Sequence, residues 1–206
     1  MPLADLAALG ASDFVLVRHG QTDYNVARRV NGDPTKPVHL TELGRAQARA
    51  LEPSVSRVAW GSAWHTRFPR TLETLDLLTP DGLPARHVIP ELDDIDVGEL
   101  EGRSIDAWRA WRRGRGLEDA PLGGESRLNV LRRYARGFER LGREAALPAI
   151  VVCHDQAIRY LENVLAGDDP LFGPVQEIPN ATPYAYAAGD VALGAERLVA
   201  RADADA

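Results

Sequence analysis

The chain has 206 residues, 45% hydrophobic and 26% charged, with a net charge of −6 and a pI near 5.4. This excludes a disordered or fibrous chain and argues against a general nucleic-acid binder, so no nucleic-acid partner is expected. A single cysteine, Cys153, excludes an intrachain disulfide and a multi-cysteine metal site. Of the 24 basic residues one is lysine, Lys36, and the rest are arginine, whose planar fork suits phosphate oxygens. No run approaches the roughly 20 apolar residues that span a bilayer. Met1 to Asp13 lacks the basic start of a secretory signal. A soluble, cytoplasmic protein with no membrane partner is expected.

In chain order, Phe14 to Val17 is a short apolar run of the kind buried on both faces of a sheet, and it leads into Arg18-His19-Gly20. Thr41 opens a helix to about Leu51, with Leu43, Ala46, Ala50 and Leu51 on one face and Pro53 ending it. Arg57 to Trp60 is a weak second strand. Arg67 to Leu78 reads as a helix, with Leu72, Leu75 and Leu78 at helical spacing and a Pro80-Asp81-Gly82 turn after it. Arg86 to Ile89 is a third strand, and Ser104 to Arg113 a helix carrying Trp108 and Trp111. After a glycine-rich loop, Glu125 to Leu147 is a long helix with Leu128, Leu131, Tyr134, Phe138 and Leu141 on one face. Ala149 to Cys153 is another buried strand, ending in His154, and Gln156 to Leu165 is helical. Tyr184 to Ala187 and Leu198 to Ala200 are late strand candidates, and Ala202 to Ala206 reads as a frayed tail.

Strands that alternate with helices predict an α/β three-layer sandwich with a mostly parallel central sheet. One domain over residues 1–206 is expected, with 93–124 as a partial lid. Ligands of such sheets bind at the carboxyl ends of the strands. Both of the best strands deliver a histidine there, His19 and His154, which sets these two apart from His39, His65 and His87.

The residues around these histidines resemble the histidine phosphatase superfamily, its phosphoglycerate-mutase-like branch. Arg18-His19-Gly20 with Gln21, Thr22 and Asn25 is similar to the family's signature. Ser62 to Arg67, followed by Thr71, resembles the segment that supplies a second arginine. Leu92 to Gly102 resembles the acid-bearing loop, Gly124-Glu125-Ser126 a turn before the long helix, and Val151 to Arg159 the second histidine segment. Five segments in order are far more specific than one tripeptide.

The resemblance implies a phosphoglycerate-mutase-like fold and a metal-independent phosphomonoesterase of the histidine acid phosphatase type, with no cofactor. His19 would be the nucleophile and form a phosphohistidine. Arg18, Arg67 and His154 would surround the phosphoryl oxygens, and Asn25 would add a neutral donor. Backbone amides around Gln21, Thr22, Asn31 and Gly32 would complete the cradle. Asp94 would protonate the leaving alcohol and then activate water. The expected partner is a small-molecule phosphomonoester, and a homodimer is a further option.

Three departures from the family stand out. Asp94 occupies a position where most relatives have glutamate, and Glu91, Asp93, Asp96 and Glu99 are the other acids of that loop. Asp155 replaces a glycine and either caps the next helix or meets a cationic part of the substrate. Trp64, His65 and Phe68 to Arg70 replace smaller residues around Arg67. Two other functions compete: a cofactor-dependent phosphoglycerate mutase, and a non-catalytic binding or regulatory module. The short span from Gly98 to Gly123 is closer to the phosphatases, while Arg112-Arg113 keeps the mutase open.

Overall fold

The computed structural model describes residues 13–79 and 85–204. Its strands are β1 (Phe14–Arg18), β2 (Ser62–His65), β3 (Arg86–Val88), β4 (Ala149–Cys153) and β5 (Pro183–Tyr186). Its helices are α1 (Asp23–Val26), α2 (Glu42–Val55), α3 (Pro69–Leu78), α4 (Ile105–Arg112), α5 (Arg127–Glu144), α6 (Asp155–Ala166) and α7 (Ala188–Asp203). The sheet order is β3-β2-β4-β1-β5. The first four strands of that order run parallel, and β5 pairs antiparallel with β1. β1 and β4 hold the centre because their apolar runs are buried on both faces.

Alternation along the strands divides the core in two. Phe14, Leu16, Val151 and Cys153 join Leu131, Tyr134, Phe138, Ile158 and Leu198 of α5, α6 and α7. Val15, Val17, Ile150 and Val152 join Val55 of α2 and Leu75 and Leu78 of α3. The result is the three-layer sandwich expected from the sequence. Each fully buried large side chain contributes about 1.5–3 kcal/mol, enough to hold α5 although its outer face is rich in arginine. No helix of the described residues is long and apolar enough to cross a membrane.

Several elements differ from expectation. The second strand is Ser62–His65, not Arg57 to Trp60, because pairing with β4 starts at Ser62 opposite Ala149. Leu198 to Ala200 lies in α7, whose buried Val191, Gly194, Ala195, Leu198 and Ala202 follow helical spacing. The tail is therefore helical and packed through Ala202, while Asp205 and Ala206 lie outside the described residues. Pro80-Asp81-Gly82 and the Met1 to Ser12 segment also lie outside them. α2 runs past Pro53 to Val55, because a proline in the last turn forfeits only one helical hydrogen bond. It buries Gly44 and Ala48 and leaves Leu43 exposed. The cause is a close backbone approach: a Cβ on Gly44 would sit 2.1 Å from the Gln21 carbonyl oxygen, and one on Gly20 2.5 Å from that of Gly44. α2 thereby braces the turn after β1.

Candidate active site

Parallel pairing of β1 with β4 sets Arg18 opposite Cys153, and the His19 amide donates to the Cys153 carbonyl at 3.1 Å. The next residue of each strand is a histidine, so the two rings meet, 5.4 Å between centroids. A cavity of about 300 Å³ opens at these strand ends, and its lining includes Arg18, His19, Asn25, Arg70, Asp94 and Asp155. His154 is fully buried beneath it. Among the described residues no group of three His, Cys, Asp or Glu is placed to hold a metal ion.

The tautomer of His19 follows from its neighbours. Nδ1 lies 2.8 Å from the Gly20 carbonyl, which only accepts, so Nδ1 carries the proton. Nε2 then has a free lone pair, and it accepts from Arg70 Nε at 3.0 Å. Burial, helped by Arg70 and Arg18, holds this imidazole well below its usual pKa. His19 is a neutral base with its lone pair among cations.

His154 is fixed by a relay of hydroxyls. Thr71 Oγ1 donates to the Phe68 carbonyl at 2.8 Å, so it accepts from Thr66 Oγ1 at 2.9 Å. Thr66 in turn accepts from His154 Nε2 at 2.8 Å. The Nδ1 lone pair therefore faces Arg70 Nη2 at 3.3 Å, with Asp94 3.7 Å away. Burial and the neighbouring Arg70 lower its pKa well below the usual value.

Arg70, not Arg67, reaches this cluster. Pro69 is the first residue of α3, so Arg70 lies in the helix's opening turn and Arg67 stays before it. Arg70 donates to Asn31 Oδ1 and pairs with Asp94 at 3.1 Å. Burial lowers its pKa to about 10. The Arg67 side chain is 56% exposed and its Nε binds buried Asp93 at 2.6 Å, away from the cavity. The expected second arginine has moved one helical turn.

Asp94 turns Oδ2 to Arg70, and its Oδ1 accepts from the Ile95 amide at 3.0 Å. Burial raises its pKa even so. The loop that carries it is clamped from α5. Arg133 donates to the Glu91, Asp93 and Asp94 carbonyls and pairs with Glu125. Glu125 also accepts from the Asp96 amide. The Gly-Glu-Ser turn is thus a fastening for the acid loop, and α5 starts after it, at Arg127.

The expected amide cradle is largely occupied from within. The Gln21 amide donates to Gln47 Oε1, the Thr22 amide to Asn25 Oδ1 and the Gly32 amide to Glu101 Oε2. Gln21 and Gly32 do not line the cavity. Asn31 lines it, but its carboxamide oxygen holds Arg70 and its Nδ2 donates to Glu101 at 2.8 Å. The Asn25 backbone amide donates to Thr22 Oγ1 and its side-chain oxygen accepts from Thr22 and Asn180, which leaves its side-chain Nδ2 to donate.

Asp155 is not a cap. His154 holds the N-cap position, and Asp155 is the first residue of α6. Its Oδ1 accepts from the Ile178 amide at 2.6 Å, while Arg18 Nη1 donates to the Ile178 carbonyl. The two peptide groups that flank the Ile178 Cα are gripped, one by each side chain, and Arg18 is held 3.9 Å from the carboxylate. Arg18 Nε is buried with no hydrogen-bond acceptor among the described residues.

Arg70, Glu101, Thr66 and Arg133 were not expected at the site. Glu101 lies in the Leu92 to Gly102 segment and Arg70 one turn past Arg67, so both had a sequence signal. Thr66 lies in the Ser62 to Arg67 segment, but its link to His154 is remote in sequence, as are the carbonyls that Arg133 holds.

Known proteins resemble this chain in sequence and in fold. A profile of the histidine phosphatase superfamily (branch 1) matches residues 14–187. A 2,3-bisphosphoglycerate-dependent phosphoglycerate mutase from Beijerinckia indica is 31% identical over 192 residues, 84% of this chain and 90% of that protein. An alpha-ribazole phosphatase from Shigella flexneri superposes with a TM-score of 0.71 at 26% identity, over 82% of this chain and 87% of that one. A mycobacterial glucosyl-3-phosphoglycerate phosphatase complexed with VO3 does so with a TM-score of 0.68 at 25% identity, over 84% and 90%.

Proposed function

Because the chain belongs to the histidine phosphatase superfamily, we propose that it is a phosphomonoesterase working through a phosphohistidine on His19, with no metal in any step. One observation carries this reading: the Nε2 lone pair of a neutral, buried imidazole opens among guanidinium groups beside an uphill-shifted carboxyl group. The substrate dianion sits among Arg18, Arg70, His154 and the Asn25 amide. Its oxygens displace His19 Nε2 and Asp94 as partners of Arg70. The incoming negative charge raises the pKa of His154, which takes a proton on Nδ1 and becomes a donor.

His19 Nε2 attacks phosphorus in line. The N–P bond forms, the ester P–O bond breaks, and the Asp94 proton goes to the leaving oxygen. Water then attacks the phosphohistidine. A new O–P bond forms, the N–P bond breaks, and the water's proton returns to Asp94. Residues 93–124 wall one side of the cavity through Ile95, Val97, Ile105 and Trp108, and we read them as the cover over the leaving group.

The mutase reading uses the same residues and differs only in the acceptor, a reoriented substrate instead of water. The mutase name of the 31% identical relative favours it. The test is a panel of phosphomonoesters in EDTA, with released phosphate and isomerised phosphoglycerate measured in the same tubes, beside His19→Ala. Phosphate release that survives chelation and is lost in the variant supports the hydrolase. Isomerisation without release supports the mutase. Full turnover by His19→Ala would sink both.

A further inference from the structure

Arg70 touches His19, His154, Asp94 and Asn31, and a bound dianion turns away the first three. Its oxygens displace His19 and Asp94, and His154, once protonated, donates as Arg70 does. What still holds the guanidinium is Asn31. Arg70 Nη1 donates to the Asn31 carboxamide oxygen, and Nη2 to the Asn31 carbonyl at 3.3 Å. A carboxamide serves a guanidinium only with its oxygen forward. The groups behind Asn31 decide which end that is. Its Nδ2 donates to Glu101 Oε1 at 2.8 Å and to the Asp33 carbonyl at 3.2 Å. Both of these only accept, so the oxygen is turned to Arg70.

The main chain brings Glu101 there. Gly102 takes φ +72°, in the left-handed region, and its amide donates to the Val30 carbonyl at 3.0 Å. The Val30 amide donates in return to the Arg103 carbonyl at 2.9 Å. This pairing sets the Glu101 side chain against residues 31–33. Its Oε2 accepts from the Gly32 and Asp33 amides at 2.7 and 3.1 Å. The same turn lies close against the acid loop, where a Cβ on Gly32 would sit 2.0 Å from the Ile95 carbonyl oxygen. Among the described residues no cation lies at ion-pair distance from Glu101. Its charge is spent on three N–H donors, which a carboxylate can serve because it carries no donor of its own. Burial lowers the Arg70 pKa, while Asp94 and Glu101 pull the other way.

We propose that Glu101 is a positioning residue for Arg70. It acts through Asn31, keeping the carboxamide oxygen on the guanidinium when substrate has displaced His19 and Asp94. This rests on the phosphomonoesterase reading, in which Arg70 holds the phosphoryl group. It makes one loop responsible for both acid and arginine, with Asp94 near its start and Glu101 near its end.

The test exchanges the chemistry of the two side chains. Glu101→Gln has one oxygen for three donors, so whichever way it turns, one N–H faces another. Asn31→Asp sets two carboxylates face to face. Together the two substitutions are complementary again. The glutamine oxygen takes the two amides, its nitrogen donates to the new carboxylate, and the second oxygen of that carboxylate takes Arg70. kcat/KM for p-nitrophenyl phosphate and the affinity for orthovanadate are measured below the melting range of each protein. Each single variant should lose about 10- to 100-fold in both, the usual worth of a hydrogen bond to a charged group. The double variant should recover about tenfold over Glu101→Gln, as coupled neighbours do. Glu99→Gln removes a charge from the same loop without touching Asn31, and should stay within about twofold of wild type. A residue that only braced the turn would lower Tm and give losses that add in the double variant. Additive losses, or unchanged vanadate affinity in Glu101→Gln, overturn the proposal. Vanadate binding that follows the expected pattern in a protein that hydrolyses no phosphomonoester overturns the hydrolase reading alone.

Discussion

Replacing Arg70 by methionine should abolish activity and leave the fold nearly as stable as before. Arg70 touches His19, Asn31, Asp94 and His154 and is 3% exposed. Holding its cation in this buried place drops the pKa from 12.5 to about 10. At about 1.4 kcal/mol per pKa unit, the charge costs the fold about 3 kcal/mol. A base whose folded pKa is lowered carries that cost at every pH below about 10, so it is present throughout the working range. Methionine removes it, but leaves the Asn31 oxygen and Asp94 without their donor, a loss of about 1–3 kcal/mol. The two nearly cancel, and at about 2–4 °C per kcal/mol the Tm should move by only a few degrees. Catalysis has no such offset. Loss of one transition-state donor costs about 10²–10³ in kcat, and an arginine on a transferring phosphoryl group about 10³–10⁵. Steady-state kinetics and thermal melts of Arg70→Met and Arg67→Met, with and without vanadate, check this. Vanadate should raise the Tm of wild type and of Arg67→Met but not of Arg70→Met. Retention of a tenth of the activity by Arg70→Met, or an equal loss in Arg67→Met, would refute the assignment.

Asp94→Asn keeps the shape but has no proton to give, so alkyl phosphates should lose about 10²–10⁴ in kcat. p-Nitrophenyl phosphate, whose leaving group needs no protonation, should lose much less; equal losses would remove Asp94 from the acid role. Activity needs His19 unprotonated and Asp94 protonated. Burial lowers the first and raises the second, so kcat/KM, corrected for substrate ionisation, should persist below pH 6.5 and fall on the alkaline side as Asp94 ionises. An acid limb centred at or above 6.5 would contradict this. Asp155→Gly frees the Ile178 amide and should cost about tenfold in kcat/KM, roughly the worth of one hydrogen bond to a charged group. Asp155→Asn, which can still accept from that amide, should restore most of it; equal loss in both variants would mean that charge, and not the grip on Ile178, matters.

The central strands and the two histidines were legible in the sequence because both signals are local. Phe14 to Val17 and Ala149 to Cys153 are continuous apolar runs, and each is followed directly by polar chemistry. The face of α5 was legible for the same reason, since its spacing lies within one element. The face of α2 was not, because a backbone contact between Gly20 and Gly44 chooses it, and no periodicity encodes that. Leu198 to Ala200 is too short an apolar run to separate strand from helix; only its extension back to Val191 reveals the helical period. Arg67 and Arg70 are chemically identical candidates, and the choice between them depends on where Pro69 starts α3. For Asp155 the sequence offers a helix cap or a cationic part of the substrate, because capping is a local habit, whereas its partner, Ile178, is remote in sequence.

The contact between the His19 amide and the Cys153 carbonyl has one more consequence. The spacing of the two histidines is set by the main-chain ladder between β1 and β4, so no side-chain replacement short of unpairing the sheet can retune it. The acid loop and the α4 wall hang on side-chain ties to α5 and on turns instead. Laboratory recombination should therefore treat the molecule as a fixed reactor with an interchangeable entrance. Exchanging residues 93–124 with those of a relative, Asp94 and Glu101 kept, should change which ester is cleaved and leave the phosphorus chemistry as it was.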